Sequence, residues 1–139
     1  QFMPSSYRAY AKSFDGSKDC DLVNNVDDAI ASAANYLKMH KWKKGQRVAI
    51  PVNKINEDIS SSHLYTKPKN TIEYYRAKGY QVEGQIQTDL VSLIELDNEI
   101  SKEYWMGFHN FYVITRYNHS PLYAMAVHQL AQAIRTLRN

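Results

Sequence analysis

Four consecutive residues near the end of the chain, Arg116-Tyr117-Asn118-His119, bring together a guanidinium, a phenol, an amide and an imidazole. An amide both donates and accepts hydrogen bonds, which is the pattern an acetamido group needs from a partner. A phenol covers an apolar surface with its ring and keeps a polar tip. The chain holds 11 tyrosines in 139 residues, with Tyr36 beside an alanine-rich stripe. Such rings suit sugar rings and nucleobases alike. The same four residues also read as an ordinary polar turn. His119 precedes Ser120, but no acid is placed to orient the imidazole, and order along the chain does not make a triad. His119 and His128 are not at zinc spacing and no paired carboxylate supports them.

A second cluster is acidic. Ser13–Leu22 places Asp15, Asp19 and Asp21 among small polar residues, resembling a calcium loop in which oxygen ligands alternate. Asp15, the Asp19 carbonyl and Asp28 are its candidate ligands. An acidic surface loop without metal is the competing reading.

These residues need elements to hold them. Phe111, Val113, Thr115 and Tyr117 alternate with Tyr112, Ile114 and Arg116, which predicts a strand. That alternation turns Arg116 away from Tyr117 and gives it a structural role. Ser120 then reads as an N-cap with Pro121 at the first helical position. Val127, Leu130, Ala131, Ile134 and Leu137 share one face of the helix that follows. A further helix is expected over Asp27–Lys44. Asn24 or Asn25 caps it, Asp27 and Asp28 suit its first turn, and Gly45 ends it. Strands are expected at Gln46–Val52, Tyr80–Gly84, Leu90–Leu96 and Lys102–Phe108, with a short helix from Asn70 to Gly79. The fold expected is α+β, with a small sheet module, about 46–107, inserted between helical parts at 1–45 and 108–139.

Composition bounds the rest. At 44% hydrophobic and 22% charged, the chain is an ordinary globular domain. A net charge of +3 with scattered basic residues does not make a nucleic-acid surface. Its densest basic run, Lys38–Lys44, suits a solvated helix end. One cysteine, Cys20, allows no internal disulfide. No apolar run approaches the ~18 residues that span a bilayer.

Three blocks in order resemble signatures of the membrane-bound lytic murein transglycosylase B family: Gln1–Tyr7, Asp28–Leu37, and Asn110–His119 with Tyr123–Val127. The residues between 51 and 106 match more loosely. The resemblance implies part of a lysozyme-like helical core. It implies cleavage of the β-1,4 bond between N-acetylmuramic acid and N-acetylglucosamine, with a 1,6-anhydro product. Gln1, Tyr36, Tyr117 and Asn118 match positions that line the glycan groove. One glutamate serves such enzymes as acid and base, and no glutamate here matches it. Glu73 and Glu103 have aromatic neighbours but fall in the sheet module. Glu57, Glu83, Glu95 and Glu99 stand in polar or strand contexts. The chain is therefore expected to be a C-terminal part of a longer precursor, inactive alone, with its catalytic glutamate and targeting signal upstream of Gln1. No cofactor is required. The family's calcium loop is richer in Asp and Gly; here Ser13, Ser17 and Lys18 depart from it, so calcium is doubtful. The implied partners are glycan strands of peptidoglycan and the upstream part of the same precursor, in a periplasmic setting with an upstream lipid anchor. A non-catalytic glycan-binding module is the rival reading. A single-stranded nucleic-acid binder stands third.

Overall fold

The structure, a computed structural model, describes residues 11, 24–54, 65, 67–83, 89–97 and 100–138. Gln1, Asp15 and Asp19 lie outside the described residues, as does most of the serine-rich stretch after Lys54.

Helix α1 spans Val26–Met39. The Asn25 side chain accepts from the Asp28 backbone N–H, and Asp27 and Asp28 occupy the first turn, where negative charge suits the macrodipole. The helix stops five residues before the expected Asp27–Lys44 boundary. Lys41 adopts φ +72°, its N–H donates to the Lys38 carbonyl, and the Trp42 N–H donates to Leu37. This is a Schellman closure with lysine where glycine is usual, so glycine spacing pointed too far along. Gly45, also left-handed, shapes the loop beyond.

Strands β1 (Ala49–Lys54), β2 (Asn70–Thr71), β3 (Tyr80–Gln81), β4 (Leu90–Asp97) and β5 (Lys102–Gly107) form one antiparallel sheet in the order β2-β4-β5-β1-β3. Helix α2, Ile72–Ala77, is capped by Thr71, one residue beyond the expected Asn70. Alternation along the strands divides the core in two. Ala49, Ile94 and Leu96 face Phe111, Ile114, Ala124 and Met125, with Trp105 alongside. Val52, Val91 and Met106 face Ile72, Tyr80, Val82 and Phe108 on the α2 side.

The expected strand over Phe111–Tyr117 is a helix, α3 (His109–Tyr117). Asn110, Phe111, Val113, Ile114 and Thr115 are all buried, because α3 lies among the sheet, α1 and helix α4 (Pro121–Arg138). The buried residues of α3 do fall on one broad side, with the half-buried Tyr112 and Arg116 on the other. Its β-branched residues then imitate strand alternation, and packing overrides propensity. The 108–139 segment is accordingly two helices, not a strand and a helix. Arg116 follows helical spacing instead: its guanidinium lies 4.3 Å from the Tyr112 ring centroid, four residues back.

Helix α4 begins as expected, with Ser120 Oγ accepting from the Tyr123 N–H at 3.2 Å. Its buried residues are Ala124, Met125 and His128. The face with Leu130, Ile134 and Leu137 is 62%, 49% and 87% exposed, so within this chain it is not core.

Gly107 ends β5 where the sheet meets α3. A Cβ there would lie 2.8 Å from Ile94 Cδ1 and 3.2 Å from the Phe111 ring. Only glycine lets α3 pack this closely on β4 and β5.

Candidate functional site

Helix α3 ends where three of the four expected groove residues converge. The Tyr36 hydroxyl, from α1, donates to the Arg116 carbonyl at 2.5 Å. The rings of Tyr36 and Tyr117 meet edge to face, with centroids 5.3 Å apart. His40, one turn after Tyr36, stacks on it at 4.1 Å. His40 Nδ1 lies 2.9 Å from the Tyr36 carbonyl, which only accepts, so Nδ1 carries the proton of that hydrogen bond. Asn118 leaves the helix in an extended conformation, and its Oδ1 accepts from the Ser120 N–H at 3.1 Å. This leaves the Nδ2 donor of Asn118 without a hydrogen-bond partner among the described residues.

The three residues differ in what they offer. Tyr36 is only 7% exposed and its hydroxyl is engaged, so it acts as a support. Tyr117 and Asn118 are half-buried. Burial, and secondarily the Tyr123 phenol, raise the Tyr117 phenol above its ordinary 10.0, keeping it a neutral donor and acceptor at physiological pH. His119 is exposed, and nothing in the described residues assembles it into a catalytic set.

Behind this surface lies a cluster that sequence reasoning did not assemble. Tyr65 packs edge-on against Phe111, with centroids at 5.3 Å, and lies near Tyr112 and Arg116. Burial pushes its phenol far up despite the opposing Arg116 charge. Its hydroxyl and Arg116 Nε are buried without hydrogen-bond partners among the described residues. The only hint in sequence was a lone aromatic in a polar stretch.

Asn110 was also missed. Its Oδ1 accepts from the Lys43 N–H at 2.8 Å, and its Nδ2 donates to the carbonyls of Lys43 (2.8 Å) and Gln46 (3.3 Å). A fully buried amide thus clasps the loop after α1 to the start of α3. An asparagine between His109 and Phe111 in an apolar run was the available signal.

Of the candidate calcium ligands only Asp28 is described. It is buried in the first turn of α1. No group of three or more His, Cys, Asp or Glu side chains suited to a metal occurs among the described residues. The donor chemistry of the loop does not fit a strong calcium site, since Ser13 and Ser17 supply weaker ligands and Lys18 adds an ammonium.

Two carboxylates of the sheet module, one on β4 and one on α2, are held in ion pairs. Glu95 pairs with Lys102 at 3.2 Å and accepts from the Tyr104 hydroxyl, while Glu73 pairs with Arg76 at 2.8 Å. The site is thus a surface of aromatic and amide groups joined to helix ends, suited to holding a polar ring rather than to proton transfer.

The chain belongs to the transglycosylase SLT domain family, whose model matches residues 1–132. It is 43% identical over 139 residues to membrane-bound lytic murein transglycosylase B of Escherichia coli (strain K12), covering 99% of this chain and 37% of that protein. Lytic transglycosylase SltB1 of Pseudomonas aeruginosa superposes with a TM-score of 0.86 at 39% identity, over 100% of this chain and 46% of that one. The E. coli lytic transglycosylase Slt35 in complex with bulgecin A gives 0.84 at 42% identity, over 99% and 43%. A more distant P. aeruginosa relative, SltB3 in complex with NAG-NAM-pentapeptide, gives 0.77 at 28%, over 97% and 37%. The mixed helical and antiparallel architecture is thus that of lytic transglycosylases with a lysozyme-like fold, and the chain spans less than half the length of these relatives. Among the described residues no helix is long and apolar enough to cross a membrane.

Proposed function

We propose that this chain forms one wall of the glycan groove of a lytic murein transglycosylase. Tyr117 and Asn118 touch the sugar, Tyr36 holds them in place, and Gln1 completes the wall. The observation that carries this reading is the convergence of Tyr36, Tyr117 and Asn118 from two helices at one helix end. Asn118 Nδ2 is available to an acetamido carbonyl, and Tyr117 offers a ring face with a neutral hydroxyl. Family membership supports the substrate, as does the NAG-NAM-pentapeptide bound by SltB3.

In the reaction a glutamate outside this chain protonates the glycosidic oxygen of the leaving N-acetylglucosamine. The 6-hydroxyl of N-acetylmuramic acid attacks its own anomeric carbon and gives its proton to the resulting carboxylate. The products are a free 4-hydroxyl and a 1,6-anhydro ring, with no water consumed. This chain's residues orient the sugar so that its 6-hydroxyl reaches the anomeric carbon on the face the leaving group vacates. Residues 1–45 and 108–139 belong to the lysozyme-like core, and 46–107 form a module set into it. The setting is periplasmic, with membrane attachment through another part of the protein. Slt35 has been solved in complex with calcium; in this chain the altered loop makes any calcium binding weak and dispensable.

The test is a titration of Asn118→Ala and Tyr117→Phe with a peptidoglycan-derived oligosaccharide. Loss of a buried hydrogen-bonding partner costs about 1–3 kcal/mol, so Asn118→Ala weakens binding roughly tenfold to a hundredfold. Tyr117→Phe, which removes one hydroxyl, costs less. Unchanged affinity for Asn118→Ala would confine that residue to capping α4.

A further inference from the structure

A cleft of about 210 Å³ opens at the other end of α3, where four segments meet: the loop after α1, the approach to β2, the start of β4 and the start of α3. Lys43, Arg47 and Lys67 line it, and His109 and Asp89 complete its polar rim. The three cations form no ion pair with any described residue. The cleft is held open by structure. Asn110 fixes the Lys43 backbone from both sides, and the left-handed Lys41 offers its carbonyl to His109 Nε2 at 2.8 Å. That carbonyl only accepts, so His109 Nε2 carries the proton.

Three cations opposite one carboxylate suit a ligand that bears carboxylates together with an amine or amide. A peptide has this chemistry: its carboxylates meet the cations and its amine or amide N–H groups meet Asp89, which a polyphosphate has no donor to satisfy. The cleft also lies within reach of the sugar surface. Tyr117 ends α3 and His109 begins it, eight residues apart, which is roughly 12 Å at 1.5 Å per residue. An extended peptide of four to five residues spans about 13–18 Å at 3.3–3.6 Å each. Contacts connect the two places: Tyr36 stacks on His40, which adjoins Lys41, whose carbonyl holds His109.

We propose that this cationic cleft binds the carboxylates of the peptide stem carried by the muramic acid, while Tyr117 and Asn118 hold the sugar. The inference rests on the groove reading above and adds peptide recognition to it. The cleft thereby selects glycan that still bears peptide over glycan stripped of it.

The experiment uses the full-length protein and two ligands: a GlcNAc–MurNAc disaccharide with its peptide and the same disaccharide without it. Neither holds a MurNAc–GlcNAc bond to cleave. Affinities are measured by calorimetry for the wild type and for a Lys43→Glu, Lys67→Glu double variant. Both side chains are exposed, and the Lys43 backbone bonds to Asn110 do not depend on its side chain; an unchanged melting temperature confirms the fold. The wild type should bind the peptide-bearing ligand at least tenfold more tightly. That preference should shrink with added salt and disappear in the double variant, with peptide-free affinity unchanged. A wild type without preference, or a double variant that retains it, overturns the proposal. Failure of the groove reading shows separately, as Asn118→Ala leaving peptide-free affinity intact.

Discussion

The Tyr36 hydroxyl reaches across 80 residues of sequence to the carbonyl of Arg116 at 2.5 Å. This bond ties the last turns of α1 to the end of α3, the residue before Tyr117 and two before Asn118. A helix end leaves carbonyls unsatisfied, and here a buried phenol takes one of them. The position of Tyr117 and Asn118, the proposed sugar-binding pair, therefore depends on a residue that is itself almost closed to solvent.

Tyr36→Phe removes that hydroxyl and keeps the ring. The expected cost is about 1 kcal/mol of folding stability, read from the midpoint of a denaturant transition at unchanged slope. Oligosaccharide affinity should fall as well, since Tyr117 and Asn118 lose their tether. An unaltered midpoint and affinity would show that water replaces the bond without consequence.

Gly107→Ala tests the close approach of α3 to the sheet. The added methyl meets the Ile94 Cδ1 end and the buried Phe111 ring. Overpacking of this kind costs about 1–3 kcal/mol. Ile94→Val removes the nearer atom. Its own cost of about 0.5–1.5 kcal/mol should therefore shrink or reverse in the Gly107→Ala background, a coupling that a double-mutant cycle measures. Strict additivity would mean that the methyl is accommodated elsewhere.

His128 introduces a pH dependence. It lies edge-on to Trp105, with ring centroids 6.4 Å apart, and its Nε2 is buried without a hydrogen-bond partner among the described residues. Burial lowers its pKa from the ordinary 6.5. A lowered folded-state value means that the unfolded chain binds the proton first as pH falls. Its contribution is thus complete above about pH 6.5 and is lost as pH drops toward the folded pKa. His128→Phe should remove this part of the acid sensitivity. Melting temperatures of both proteins between pH 7.5 and 5 provide the check, and parallel curves would contradict the assignment.

Much of this was legible in sequence, for identifiable reasons. Ser120 and Pro121 announce α4 because capping is local chemistry. The strand at Ala49–Lys54 follows from alternation, that at Leu90–Asp97 from an apolar run with β-branched members, and that at Lys102–Gly107 from its aromatic residues. Tyr36, Tyr117 and Asn118 were named from family signatures, and the structure brings them together. The errors arise where tertiary context decides. Helix α3 carries Val113, Ile114 and Thr115, β-branched residues that suit a strand, yet it folds as a helix against the sheet and two helices. Helix α1 ends on a left-handed lysine that no glycine announces. The buried amide of Asn110 and the unpaired phenol of Tyr65 gain their meaning from partners distant in sequence. The Leu130–Leu137 face is apolar by periodicity and exposed in this chain, since periodicity reports which side is apolar, not whether anything covers it.

The central claim is that this chain shapes the sugar site of a lytic transglycosylase whose catalytic acid lies outside these 139 residues. Its most direct test is product analysis by mass spectrometry after incubation with purified peptidoglycan. The full-length protein should release 1,6-anhydro-muropeptides, Asn118→Ala should release them roughly tenfold to a hundredfold more slowly, and the 139-residue chain alone should release none. Anhydro products from the 139-residue chain would place the acid on this chain and contradict the account, as would a full-length protein that binds glycan without cleaving it.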